Sequence, residues 1–406
     1  MKKSEGKRNY LFIIPFGLPA YWLADYEKKT AEEISRKYPV VSFLIGEGFS
    51  LLKYITHPRA LLYKTSRHSY IFKPLYIVPL QRFRPVREIN FRLAVLELRF
   101  MMWTNRDFRK RKKVFWSFSL QDTVFPRQFG SNITSLYDCI DDFVSEDPQL
   151  RRAWSKREQS ILRQTDIVFC NSKVLFALKQ PLHERVHFVP GGFDLRSFRK
   201  NFSTKAPQDI ASIPDPIIGF VGYINKRLDF PLILALVRAM PDVSFVFIGR
   251  EDPLFIGKPG ADFQSAWSHI RSRSNVYFLG EKPRKHIPRY IAHFSVGAIY
   301  YDVTQRFNLN CLPMKLSEYF YAGIPVISTP IKEVFRFQPY VTILKTPTQA
   351  VRAIEALISS PWPDSYRRAQ RGVARQHSWE QKVLEMLKIL DAYSESTVYH
   401  ETSARL

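Results

Sequence analysis

The sequence is poor in the residues from which disulfide scaffolds and metal sites are built. Its 406 residues hold three cysteines, Cys139, Cys170 and Cys311, an odd number with no C-x-x-C pair. That argues against a disulfide framework or a structural zinc and favours a reducing compartment. The nine histidines show no metal spacing. His183 and His187 are four apart, but Pro181 and the apparent strand VHFV keep them off a shared helical face. No apolar run reaches the roughly 18 residues of a spanning helix, so none is expected. The start, MKKSEGKRNYLFIIPFGLPAYWLA, is basic and then apolar, as a signal peptide is. However, Pro15, Gly17 and Pro19 interrupt it and no small-x-small cleavage site follows. It reads instead as a buried strand, YLFIIP, and a loop, FGLPAYW. Short repeats and low-complexity tracts are also missing. Acidic residues are few: 37 Asp and Glu face 61 Lys and Arg, a net charge of +24. Such an excess points to an anionic partner, whether nucleic acid, an acidic membrane surface or a phosphorylated substrate.

What is present is globular. Hydrophobic residues make up 45% and charged residues 24%, and the length suits about two domains. Short apolar runs alternate with helical patterns from the beginning: YLFIIP (10–15), VVSFLI (40–45), VFWSF (114–118), ITSLY (133–137), IVFC (167–170) and VHFV (186–189). A polar, Pro-containing stretch at 201–216 reads as a linker. A second series follows with IIGFV (217–221), SFVFIG (244–249), VYFLG (276–280), SVGAIY (295–300), PVIS (325–328) and VTIL (341–344). Continuous hydrophobic strands separated by helices indicate parallel sheets covered on both faces. The expected fold is therefore α/β, with two Rossmann-like domains facing across a cleft. Their expected bounds are 1–198 and 210–375, with a C-terminal helical region, 376–406, packing back toward the first domain.

Residues 82–113 stand apart, with eleven Lys or Arg against three acids, interleaved with Phe, Leu, Met and Trp. An ordinary amphipathic helix with a basic loop would look like this. So would a surface resting on anionic lipid, with basic side chains on head groups and apolar ones beneath. No nucleic-acid motif accompanies these residues, so no nucleic-acid partner is expected.

The stretch LPMKLSEYFYAGIPVISTP, 312–330, places Lys315 and Glu318 three apart in an apolar segment. With Pro313 in the first turn, Lys315 lies at a helix N-terminus, where backbone N–H groups and the dipole already attract anions. Glu318 follows about 4.5 Å along the axis on a neighbouring face, where a carboxylate can accept hydrogen bonds from a ribose diol. Gly323 then closes the helix ahead of a buried strand. A surface Lys–Glu pair is the plainer alternative.

PMKLSEYFYAGIPVIST resembles the donor-site signature of GT-B glycosyltransferases, P-x-K-x-x-E-Y-x-x-x-G-x-P-V. The resemblance extends to IIGFVGYINKRLDFPLILALVRAMPDVSFVFIG, to NVYFLGEKPRKHIPRYIAHFSVGAIYY and to HSWE at 377–380. Upstream it takes in YDCIDDF, TDIVFCNSKVL and VHFVPGGFDLRSF, so that it spans roughly 130–380. It is nearest to bacterial enzymes that build teichuronic-acid-type surface polysaccharides. The resemblance implies a transferase moving a sugar from a nucleotide-diphosphate donor to a saccharide or lipid-linked hydroxyl, in the cytoplasm or at the inner face of a membrane. By this resemblance Lys315 contacts the donor pyrophosphate, Glu318 the ribose, and Gly222 lets backbone approach the phosphates, with Arg227 or Lys226 adding charge. Many retaining relatives carry a second Glu eight residues before the ribose Glu; here that position is Asn310, which leaves the stereochemistry open. Of Asp138, Asp141 and Asp142 in LYDCIDDF, Asp141 is the first candidate for a base and Asp142 the second, with an N-cap or a salt-bridged loop as the structural alternative. No metal or other cofactor is expected. An epimerase on the same fold, or a nonenzymatic binder of acidic polymers, are the rival readings.

Overall fold

The computed structural model describes residues 9–16, 24–44, 49–50, 55, 61–76, 83–120, 133–144, 147–252 and 262–403. The loop 17–22 that follows the first strand lies outside them. The chain divides into two units, at Val189/Pro190 and again at Gln381/Lys382, the segment from Lys382 onward belonging to the first.

The first unit is built on β1 (Tyr10–Phe16), whose YLFIIPF is buried along nearly its whole length and has strands on both sides of it. Further strands are β2 (Val40–Leu44), β3 (Phe49–Ser50), β4 (Leu62–Lys64), β5 (Ser69–Phe72), β6 (Leu75–Tyr76), β7 (Lys112–Ser117), β8 (Ile133–Cys139), β9 (Ile167–Cys170) and β10 (Val186–Phe188). The main sheet runs β10-β9-β8-β7-β1-β2-β5-β4, parallel except for the β4–β5 pair, while β3 and β6 pair separately. One face packs Leu11, Ile13, Val41, Phe43 and Phe115 against Val95, Leu98 and Met102 of the helix Arg84–Thr104. Toward the other end of the sheet, Tyr137, Cys139, Val168 and Cys170 pack with Ile161, Leu162 and Leu175 of the helices Pro148–Leu162 and Lys173–Lys179. All three cysteines are free and buried.

The second unit contains β11 (Ile217–Val221), β12 (Ser244–Ile248), β13 (Val276–Gly280), β14 (Val296–Ile299), β15 (Val326–Ser328) and β16 (Val341–Ile343). They form one all-parallel sheet in the order β13-β12-β11-β14-β15-β16. The two-residue period divides the strands between two cores. Ile217, Val246, Ile248, Ile299 and Val326 face one core; Ile218, Phe220, Phe245, Phe247 and Ile327 face the other. Residues 190–198, which the sequence reading placed with the first domain, belong here, since Phe193 and Phe198 pack in this core. Numbered along the unit, the strand order is that of a doubly wound dinucleotide-type fold, and it reverses between β11 and β14. Ligands of such sheets bind at the carboxyl ends of the strands beside that reversal.

Candidate functional site

The carboxyl ends of β11 and β14 carry the residues singled out in the sequence. β11 runs into Gly222, at φ 150, a conformation suited to glycine. Its position is tight: a Cβ there would lie 3.3 Å from Cε and Nζ of Lys315. Lys315, first residue of the helix Lys315–Ala322, thus lies directly against the turn after β11. Pro313 precedes the helix, its carbonyl accepting the Leu316 N–H at 3.1 Å.

Packing fixes this helix on the sheet. Tyr319 is fully buried, and its hydroxyl accepts the Val221 N–H at 3.1 Å while lying 3.3 Å from the carbonyl oxygens of Gly219 and Ala298. Burial holds that phenol well above its ordinary pKa, so it stays neutral. Gly297 makes room for the ring, since a Cβ there would approach it to 2.6 Å. The helix ends at Gly323 in the left-handed region, φ 76. Beyond it, Arg367 donates to the Gly323 carbonyl at 3.0 Å, Arg371 to that of Tyr321 at 3.2 Å, and Gln370 to that of Ile324 at 2.7 Å. The negative end of the dipole is therefore met by arginines, whereas no side chain caps the N-terminus at Met314. The end that favours an anion is the end where Lys315 sits.

Tyr301, two residues past β14, joins the basic groups. Lys315 Nζ donates to its hydroxyl at 2.5 Å and lies 4.4 Å from the ring centroid. The Arg227 guanidinium lies 4.6 Å from the same ring and 4.3 Å from that of Phe307. Asn308, buried, accepts from Arg227 Nε at 2.7 Å and donates to the Arg227 carbonyl at 3.1 Å. Gly222, Arg227 and Lys315 are therefore brought together, and Glu318 stands one turn beyond Lys315, half-buried. Sequence reasoning missed Tyr301 and Asn308. The one available signal was that Tyr301 directly follows the apolar run SVGAIY (295–300), at its carboxyl end. Asn310 is buried in the segment just before the helix.

In the first unit the three aspartates at the carboxyl end of β8 part company. Asp138 is still within the strand, fully buried, and paired at 3.1 Å with the equally buried Lys382. Burial raises its pKa, and Lys382 pulls the other way without cancelling the rise. Asp142 is buried as well. Burial lowers the Lys179 pKa, but Cys139, Glu158 and Asp142 together carry it above its ordinary value, and Glu158 is paired to Lys179 at 2.6 Å. Asp141 is the half-buried one; burial raises the Tyr26 phenol, and the Asp138 and Asp141 carboxylates add to that rise. Among the described residues no three His, Cys, Asp or Glu side chains gather as metal ligands.

Comparison with known proteins bears on the fold. No protein-family model matches the sequence. A Bacillus subtilis (strain 168) protein named as a teichuronic acid biosynthesis glycosyltransferase, TuaH, is 24% identical over 260 residues, which is 60% of this chain and 63% of that protein. The chain thus matches somewhat less than two thirds of the length of its curated relative. Sucrose-phosphate synthase of Thermosynechococcus elongatus superposes with a TM-score of 0.66 at 14% identity, over 98% of this chain and 100% of the other. Anabaena HepE, solved in complex with UDP, gives 0.66 at 13%, over 95% and 100%. The fold is that of the GT-B glycosyltransferases. A GT-B chain carries two Rossmann-like units, and both sheets described above fit that plan.

Proposed function

We propose that this GT-B chain is a glycosyltransferase that moves a sugar from a nucleotide-diphosphate donor to a hydroxyl of a saccharide or lipid-linked acceptor. One observation carries the reading: Lys315 Nζ is held by Tyr301 against Gly222, at an uncapped helix N-terminus beside the reversal of a doubly wound sheet. A diphosphate needs positive charge and backbone donors in one place, and this arrangement provides both. Glu318, one turn on, takes the ribose hydroxyls. HepE, solved with UDP and again with UDP-glucose, supports a nucleotide-sugar donor. None of the relatives described above is named as an epimerase, and the epimerase reading has nothing further in its favour.

In this reaction the acceptor oxygen attacks the anomeric carbon, the bond from that carbon to the diphosphate oxygen breaks, and charge grows on the departing diphosphate. Lys315, Arg227 and the helix end meet that charge, so no metal ion is assigned a role. An inverting transfer needs a base for the acceptor proton, and Asp141, half-buried just past β8, takes that role. The three free cysteines agree with a reducing, cytoplasmic setting, and the acceptor would be met at the inner face of a membrane.

The test is thermal unfolding of the purified chain with a panel of nucleotides and nucleotide sugars, repeated with Glu318→Ala. Ligand at about a hundred times its Kd stabilises by about 2.7 kcal/mol, a plainly visible rise in Tm. Stabilisation by one nucleotide family, lost in the variant, is the expected result. No stabilisation by any of them would sink the reading.

A further inference from the structure

The helix Arg84–Thr104 is apolar on two opposite faces. Ala94, Val95, Leu98 and Met102 point into the core of the first unit. On the other side Ile89 and Leu96 are about half exposed, Phe100 is 63% exposed and Trp103 64%. Spacings of seven, four and three residues align these four in one stripe along the axis. The Phe100 and Trp103 rings are 6.2 Å apart, so the stripe ends in a joined aromatic patch. Arg92 and Arg99, exposed and seven apart, run along its border. Glu97 is turned aside to accept the Leu75 N–H at 2.9 Å. Just past the helix, Arg106, Arg109, Lys110 and Lys112 are exposed.

Large aromatic side chains this exposed call for a partner. A second copy would bring an equal charge of +24 and the same arginines against this stripe, which the charges oppose. An anionic bilayer has the complementary chemistry. Its head groups accept arginines, its acyl boundary accepts Ile, Leu and Phe, and Trp is at home between the two. Among the described residues no helix is long and apolar enough to cross a membrane, so contact would be in the plane of the surface.

We infer that the outer face of this helix is a membrane-contact face, lying along an anionic bilayer with Ile89, Leu96, Phe100 and Trp103 beneath the head-group phosphates and Arg92 and Arg99 among them. The inference does not depend on the donor site. The test is co-sedimentation of the full chain with phosphatidylcholine vesicles, and with vesicles containing about one third phosphatidylglycerol. The variants are F100S/W103S and R92Q/R99Q, each first shown to unfold at the wild-type temperature. Wild type should pellet with the anionic vesicles, and F100S/W103S should bind them at least about tenfold more weakly. R92Q/R99Q should lose about fivefold per charge removed. Failure to bind either vesicle would overturn the inference. So would binding that F100S/W103S leaves intact, which would mark simple charge adsorption. Self-association abolished by F100S/W103S, with vesicles leaving the chain in solution, would make the stripe a protein interface instead.

Discussion

Replacing Tyr301 with Phe removes a single oxygen, the one Lys315 Nζ approaches to 2.5 Å, and keeps the ring that faces both Lys315 and Arg227. A hydrogen bond to a charged group contributes about 1.5–3 kcal/mol, and removing it from a half-buried lysine should cost less than that, about 1 kcal/mol, because solvent compensates. Donor Kd should therefore rise roughly fivefold. Lys315→Ala removes the charge itself and should cost more, about 2–3 kcal/mol, because the charge-assisted bond to the diphosphate goes with it. The decisive measurement is a double-mutant cycle by calorimetric titration with the nucleotide that stabilises the protein. If Tyr301 acts by holding Lys315, then Tyr301→Phe in a Lys315→Ala background should change the binding energy by less than about 0.3 kcal/mol. Fully additive losses would refute the holding role and mean that the Tyr301 hydroxyl meets the donor independently. Wild-type affinity in Lys315→Ala would refute the site as a whole.

Asp141→Asn should lower kcat by about 10²–10⁴-fold while leaving the thermal shift with donor unchanged, as expected of a base that takes the acceptor proton; loss of donor binding instead would count against that role. Lys382→Met should destabilise the first unit by about 3–5 kcal/mol at neutral pH, because it strands a fully buried carboxylate, Asp138. The pH dependence has a definite sign. The folded carboxyl already lies above its ordinary value, so its contribution is fully present below the unfolded value of about 3.9 and is lost as pH rises through the raised folded one. Without Lys382 the folded value climbs further, and the deficit of the variant should shrink steadily as pH is lowered toward about 4. Urea unfolding at several pH values checks this, and a deficit independent of pH would contradict it.

The sheets were legible because a parallel sheet covered on both faces has no polar alternation to confuse the pattern: IIGFV, SFVFI and VGAI stand as apolar blocks. The part of the first unit between β2 and β7 was not. Strands β3 to β6 have two to four residues each, too few for a period to show, and in β4 both Tyr63 and Lys64 are exposed. The helix Arg84–Thr104 announced its charge but not its orientation. Apolar residues on two opposite faces weaken the one-sided periodicity by which a buried face is recognised.

The site was legible in the same proportion as it is local. Lys315, Glu318 and Gly323 belong to one helix and its turn, so their spacing alone aligns them. Tyr301 and Asn308 act on partners 14 and 81 positions away, and no window of sequence contains those pairs. The aspartates show the harder limit. All three lie at the end of the same strand, where a base and a structural carboxylate have identical neighbours in sequence. What distinguishes Asp138 is Lys382, 244 positions on and wholly buried with it. A lysine placed there pairs with one carboxylate and withdraws it from chemistry, while of the other two Asp142 is buried and Asp141 half-buried. The proposal of Asp141 as the base thus draws on burial and on a cation in the last helix of the chain as well as on the motif that first drew attention to the trio.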